Sequence, residues 1–200
     1  MKKLLVSGVC LAGLVFMTSC NSETNNETDS LKDTSTTVET VDTSAAMRTT
    51  VNTEDDSVFA KKAAEGGLME VQLGQLALKN ATSSAVKKHA QMMVTDHGKA
   101  NAELKTLAAS KNIMLPKALG DEKQKMVNDL KAKKGADFDK AYSDMMVEDH
   151  KKDIDLFRTE AEGGRDAEIK AWAAGKLPTL QSHLQMWESA KMAVDSIGKK

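Results

Sequence analysis

Residues 86–107 read VKKHAQMMVTDHGKANAELKTL. Val86, Ala90, Met93, His97, Ala100, Leu104 and Leu107 recur there at alternating intervals of four and three residues. Lysines, Gln91, Asp96 and Glu103 fill positions between them. That period winds the apolar residues into one stripe of an α-helix, because about 3.6 residues complete a turn. Ser83 or Ser84 can accept the first free N–H groups, and the helix is expected to end near Lys111, before Leu115-Pro116. A histidine sits on the buried stripe.

The same period recurs on both sides. A first helix is expected over Ser57 to Asn80, with Phe59, Ala63, Gly66, Leu73 and Ala77 on one face. After the 86–107 helix comes a short one, Asp121 to Lys133, stopped by Gly135. Asp137 can cap a third long helix carrying Tyr142, Met146, Ile154, Phe157 and Ala161, which breaks at Gly163-Gly164. The fourth runs from about Asp166 to Ile197, with Pro178 expected to kink or break it. No segment alternates with period two. The fold class is therefore all-α, a four-helix bundle with a short extra helix between the second and third long ones.

Composition agrees. The chain has 200 residues, 28 Lys+Arg against 29 Asp+Glu, and a net charge of −1. No basic surface for nucleic acid follows from that balance. Aromatics make up 4% and there are two prolines, which suits helices better than a β-sandwich.

The N-terminus is an address. Lys2 and Lys3 precede a short apolar run, Leu4 to Phe16, too short to span a bilayer, and then Met17-Thr18-Ser19-Cys20. This resembles a bacterial lipoprotein signal. The resemblance implies a signal peptide over 1–19, cleavage before Cys20, and lipid on the Cys20 sulfur and new amino group. Asn21 in place of Asp favours the outer membrane, with the protein facing the periplasm or the surface. Cys10 would leave with the signal and Cys20 carry lipid, so no thiol remains for catalysis or for a Cys-ligated metal. Residues 21–56 hold 18 Ser, Thr or Asn, nine acids and two bases, without apolar period. They are expected to form a disordered tether for a bundle domain over 57–200. The expected partners are the membrane, through the lipid, and an envelope protein or a second copy of the chain.

Three histidines share one situation. His97 follows Met93 by four residues, His150 follows Met146 by four, and His183 lies between Leu180 and Trp187. On the first helix the equivalent stripe carries Glu70 among Gly66, Leu73, Gly74 and Ala77. A buried carboxylate or imidazole needs a partner, and four of them on four helices can serve one another or a metal. Counting from the interhelix turns puts Glu70, His97 and His150 at one height and His183 roughly 9 Å away, unless the helix breaks near Pro178. Asp96 and Asp149 precede two of the histidines and are read as supporting or solvated groups, with Lys99, Lys151 and Lys152 as partners. Met93 and Met146 are read as core filling or as thioethers beside a metal. The cluster would bind a metal or a small ligand, and the ion would be a divalent transition metal or, with those thioethers, Cu(I). The competing reading is a structural or protein-interaction module with a buried polar cluster and no ligand. His89 is read as a surface residue. Met92-Met93-Val94-Thr95-Asp96-His97 and Met145-Met146-Val147-Glu148-Asp149-His150 agree at five of six positions. No phosphate loop, Ser-His-Asp arrangement or CxxC is present, so no enzyme activity is assigned.

Phe59, Ala63-Ala64, Gly67, Glu70-Val71, Leu73-Gly74, Asp96-His97, Leu115-Pro116, Phe138-Asp139, His150, Leu177-Pro178 and His183-Leu184 resemble, in order, a bacterial ferritin-like family of unknown function described as predicted outer membrane proteins. The resemblance implies a ferritin-like bundle in the cell envelope and brings no activity. Ferritin-type di-iron sites carry Glu three residues before His on two helices. Val94 and Val147 stand there in this chain, which argues against di-iron chemistry.

Overall fold

The computed structural model describes residues 43–197, and their side chains over 56–196. The expected signal peptide, Cys20 and the expected tether up to residue 42 lie outside the described residues. Five helices follow one another: α1 (Thr43–Asn80), α2 (Ser84–Ser110), α3 (Asp121–Lys131), α4 (Gly135–Gly163) and α5 (Ala167–Ile197). No strand occurs among the described residues. Four helices are long and α3 is the short extra one.

Three boundaries differ from expectation. α1 begins at Thr43 rather than Ser57, so part of the polar stretch is helical. α4 begins at Gly135, where φ is +59°, which places Asp137 inside the first turn instead of at the cap. α5 continues through Pro178 without a break.

α1 packs chiefly on α2 and α4 on α5, and α1–α4 and α2–α5 contacts join the two pairs. The loops are tied by buried carboxylates from the opposite pair. Asp139 of α4 accepts from the backbone N–H of Thr82 (3.1 Å) and Ser83 (2.8 Å) and from the Thr82 hydroxyl (2.6 Å). Asp56 of α1 accepts from the backbone N–H of Arg165 (3.0 Å) and Asp166 (2.7 Å). Ser83 caps α2 as expected, accepting from Val86 N–H. Asp166 accepts from the N–H groups of Glu168 and Ile169 at the start of α5.

The interior has two apolar clusters. One contains Leu73, Val86, Met93, Tyr142, Met146 and Trp187. The other contains Phe59, Ala63, Leu104, Ile154, Phe157 and Leu180. On α2, α4 and α5 a histidine falls between the residues of the two clusters: His97 between Met93 and Leu104, His150 between Met146 and Ile154, His183 between Leu180 and Trp187. A polar layer therefore crosses an otherwise apolar core.

Candidate metal centre

Glu70 of α1, His97 of α2, His150 of α4 and His183 of α5 are all buried. The three rings form a near-equilateral group, with centroids 5.4 Å apart for His97–His183 and 5.5 Å for the other two pairs. One nitrogen from each lies within 4.8 Å of the others. His183 thus belongs to the layer, which corrects its expected 9 Å offset. α4 ends at Gly163 and α5 starts at Ala167. Counted from those ends, His150 and His183 differ by about 4.5 Å of helix rise, which modest tilt absorbs.

Each ring has one nitrogen engaged and one without a partner. His150 Nδ1–H donates to the carbonyl of Met146 at 2.9 Å. His183 Nε2–H donates to Asp96 Oδ2 at 3.0 Å. His97 Nδ1 lies 2.5 Å from Glu70 Oε2. This is a close contact that does not complete an in-line hydrogen bond, for both Glu70 oxygens lack a hydrogen-bond partner. The nitrogens left over, His97 Nε2, His150 Nε2 and His183 Nδ1, are buried and unpartnered. Buried polar atoms are rarely left so, because each costs about 1–3 kcal/mol. Glu70 Oε1 stands 3.6 Å from His150 Nε2, too long for a hydrogen bond.

Burial sets the protonation. It is the main reason His150 is pushed down to about 3, with the facing charges of His97 and His183 adding to it. Burial likewise holds His97 and His183 below the ordinary imidazole value. Three neutral imidazoles at pH 7 follow, the form that ligates metals. Glu70 is pushed well above the usual carboxylate range by burial and then by Asp149. A cleft of about 200 Å³ lined by Asp96, His97, Ala100, Lys176, Leu180 and His183 reaches two of the three imidazoles.

Small residues make the layer possible. A Cβ on Gly74 would lie 2.8 Å from Val94 Cγ2 and 3.0 Å from the carbonyl oxygen of Ala90, and one on Gly67 would collide with Asn101. Glycine there lets α1 approach α2 closely enough for Glu70 to touch His97.

The sequence matches the family described as "Domain of unknown function (DUF4142)" over residues 41–190. The chain belongs to that family. No curated protein matches it. Among solved structures, this DUF4142 chain is similar to a DUF305 protein of Streptomyces coelicolor described as secreted, with TM-score 0.60 and 14% identity over 70% of this chain and 94% of that one. It is similar to a DUF305 fragment of Deinococcus radiodurans, with TM-score 0.61 and 11% identity over 70% and 96%. It is also similar to CopM in the Cu(II)-bound form, with TM-score 0.59 and 13% identity over 69% and 96%. At these identities the likeness is one of fold. Among the described residues no helix is long and apolar enough to cross a membrane.

Other expected residues fall into place or out of it. Asp96 supports His183, across α2 and α5. Asp149 is buried rather than solvated, in a carboxylate group with Glu70 and Asp153 whose ligand atoms lie within 4.8 Å of one another. Asp153 escaped the sequence reading, although Asp149 and Asp153, four apart on α4, share a face. Met93 and Met146 are core residues of the DUF4142 domain, and the Met93 sulfur accepts from Trp187 Nε1–H at 3.3 Å. His89 is half-buried rather than on the surface, its ring edge-on to Trp187 at 5.4 Å. Glu148 is exposed and pairs with Lys151.

Proposed function

We propose that this domain is a metal-binding module of the cell envelope, holding one divalent transition ion, Cu(II) ahead of Zn(II), between His97, His150 and His183. One observation carries the reading: three buried imidazoles from three helices each place a ring nitrogen within 4.8 Å of the others, and each ring keeps a buried nitrogen without a hydrogen-bond partner. The opposite nitrogens of His150 and His183 donate to a carbonyl and a carboxylate, the outer contacts that hold ligating imidazoles in one tautomer, and Glu70 Oε2 lies against that of His97. Glu70, whose Oε1 stands 3.6 Å from His150 Nε2, supplies a further donor once the ion displaces its proton. Imidazole donors suit copper and zinc, and Cu(II) leads the divalent series in affinity. The fold likeness to CopM in its Cu(II)-bound form supports copper. Cu(I) through thioethers finds less support, because Met93 turns its sulfur to Trp187. With metal-donating carboxylates absent at Val94 and Val147, the site does not suit a di-iron pair.

In this reading the four long helices are a ferritin-like four-helix bundle, and a lipid on Cys20 tethers it to the outer membrane. The work of such a module is sequestration or delivery of the ion. The test is metal analysis of the purified full-length chain after incubation with Cu(II), Zn(II), Fe(II) and Mn(II) and dialysis. One equivalent of copper per chain with a raised melting temperature is expected, and its loss in His97→Gln, His150→Gln and His183→Gln. Less than roughly a tenth of an equivalent of copper or zinc, with melting unchanged by either, overturns it in favour of a structural polar cluster.

A further inference from the structure

The carboxylates behind the imidazoles form a second group of different chemistry. Glu70 of α1 and Asp149 and Asp153 of α4 each place an oxygen within 4.8 Å of the others. Glu70 and Asp149 are buried and Asp153 is half-buried. Such a cluster alone is often only solvated surface, but two observations set this one apart. Both Glu70 oxygens and Asp149 Oδ2 lack a hydrogen-bond partner while lying out of reach of water. The hydroxyl of Tyr142 is fully buried and also unpartnered; burial first, and then the neighbouring Glu70 and Asp149, push its proton affinity up. The core here holds acceptors and a hydroxyl that no hydrogen bond satisfies.

We propose that Glu70, Asp149 and Asp153 hold a second cation, a hard divalent ion of the Mn(II) or Mg(II) class, with Glu70 shared between this all-oxygen site and the imidazole site. Carboxylate oxygens without nitrogen or sulfur select such ions, just as imidazoles select copper and zinc. Glu70 suits the shared position because one oxygen lies against His97 and the other faces His150. Burying three carboxylates together needs a countercharge. Lys123 of α3 is the ammonium whose field reaches all three, and His97 is the imidazole that faces Asp149 and Asp153. Neither closes an ion pair with the unpartnered oxygen of Asp149. The claim goes beyond the imidazole reading, and only the sharing of Glu70 rests on it.

The experiment is a Mn(II) titration of the full-length chain, following the electron paramagnetic resonance signal of the free ion, run beside a Cu(II) titration. The wild type is expected to take up one Mn(II) per chain. Asp149→Asn with Asp153→Asn should weaken Mn(II) binding tenfold or more while copper uptake stays at one equivalent. Asp153→Asn alone, at the half-buried position, gives the same direction with less risk to folding. His150→Gln with His183→Gln should abolish copper uptake and leave Mn(II) affinity within about twofold. Glu70→Gln should weaken both. No Mn(II) uptake by the wild type overturns the second site whatever copper does. So does uptake that survives both Asp variants, or uptake that disappears with the His pair. A wild type that takes up Mn(II) but no copper would sink the imidazole reading and leave this one standing.

Discussion

Asp96 of α2 and His183 of α5 are joined by one hydrogen bond, Nε2–H to Oδ2 at 3.0 Å, across the mouth of the cleft. The carboxylate side chain is 41% exposed and the imidazole 3%. A solvated anion therefore holds a buried ring from outside and leaves Nδ1 to the interior. Asp149, which stands before His150 as Asp96 stands before His97, does the opposite: it turns inward, toward Glu70 and Asp153. The two halves of the sequence echo have separated in role, one tying a ring to the surface and the other adding an acid to the core.

Asp96→Ala tests the outer contact. Its side chain stabilises the fold little, since an exposed pair contributes about 0–1 kcal/mol. The ring it orients would lose its fixed tautomer, and losing such a contact typically costs 10- to 100-fold in metal affinity. Cu(II) affinity measured by chelator competition is expected to fall in that range with melting of the metal-free protein within about 2–4 °C of wild type. A fall of less than about twofold would show that His183 is held by packing alone.

His150 gives a pH dependence of definite sign. Its folded-state pKa is depressed to about 3, mainly by burial, against a value near 6.5 in the unfolded chain. Between those values the unfolded state binds the extra proton, so stability is lost as pH falls below about 6.5, by about 1.4 kcal/mol per unit. His150→Gln removes this loss. Relative to wild type, the metal-free variant is expected to gain about 2 kcal/mol between pH 6.5 and 5, read from urea unfolding at each pH. An identical pH profile for the two proteins would mean that His150 is already protonated in the folded state.

Much of this was legible in the sequence because it depends on local period. Stripe positions of α2 and α4 fixed both the helices and the inward aim of His97 and His150. Counting residues from the turns also placed Glu70 level with them. His183 was misplaced because its height depends on where α4 ends, where α5 starts and how α5 passes Pro178, none of which period determines. Asp149 and Asp153 were hidden for a different reason. Acidic residues beside lysines read as solvated, and only the approach of α1 and α3 to α4 removes them from water. Asp139 and Asp56 cap loops some 57 and 110 residues away in the chain, and no neighbouring residue reports a contact of that kind.

Gly74→Ala probes the spacing of α1 and α2. The added methyl meets a backbone oxygen, Ala90 O at 3.0 Å, which cannot rotate aside as a side chain can. Overpacking of this kind costs about 1–3 kcal/mol, partly offset by alanine's better helix propensity. The helices are expected to separate, lowering melting by several degrees and, because Glu70 and His97 meet across that contact, weakening copper binding as well. Gly98→Ala is the control: a Cβ there meets nothing within 4 Å. It should melt at or slightly above the wild-type temperature and bind copper unchanged.

Asp56 decides where the folded domain begins. It lies inside the segment that composition assigns to the tether, yet it is 1% exposed and receives the backbone N–H groups of Arg165 and Asp166. Two hydrogen bonds to a buried carboxylate stabilise by about 1.5–3 kcal/mol each at most, and removing the acceptor also leaves two donors unpaired. Asp56→Ala is therefore expected to lower stability by about 2–4 kcal/mol, or roughly 4–16 °C in melting temperature for a domain of this size. The α4–α5 loop lies at the end of α5 farther from His183 in sequence than Leu180, so copper stoichiometry should remain at one. Asp139→Ala, which leaves three donors of the α1–α2 loop without their acceptor, should behave alike. Unchanged melting of Asp56→Ala would return this stretch to the tether; loss of copper together with stability would show that the loop anchors and the metal layer melt as one unit.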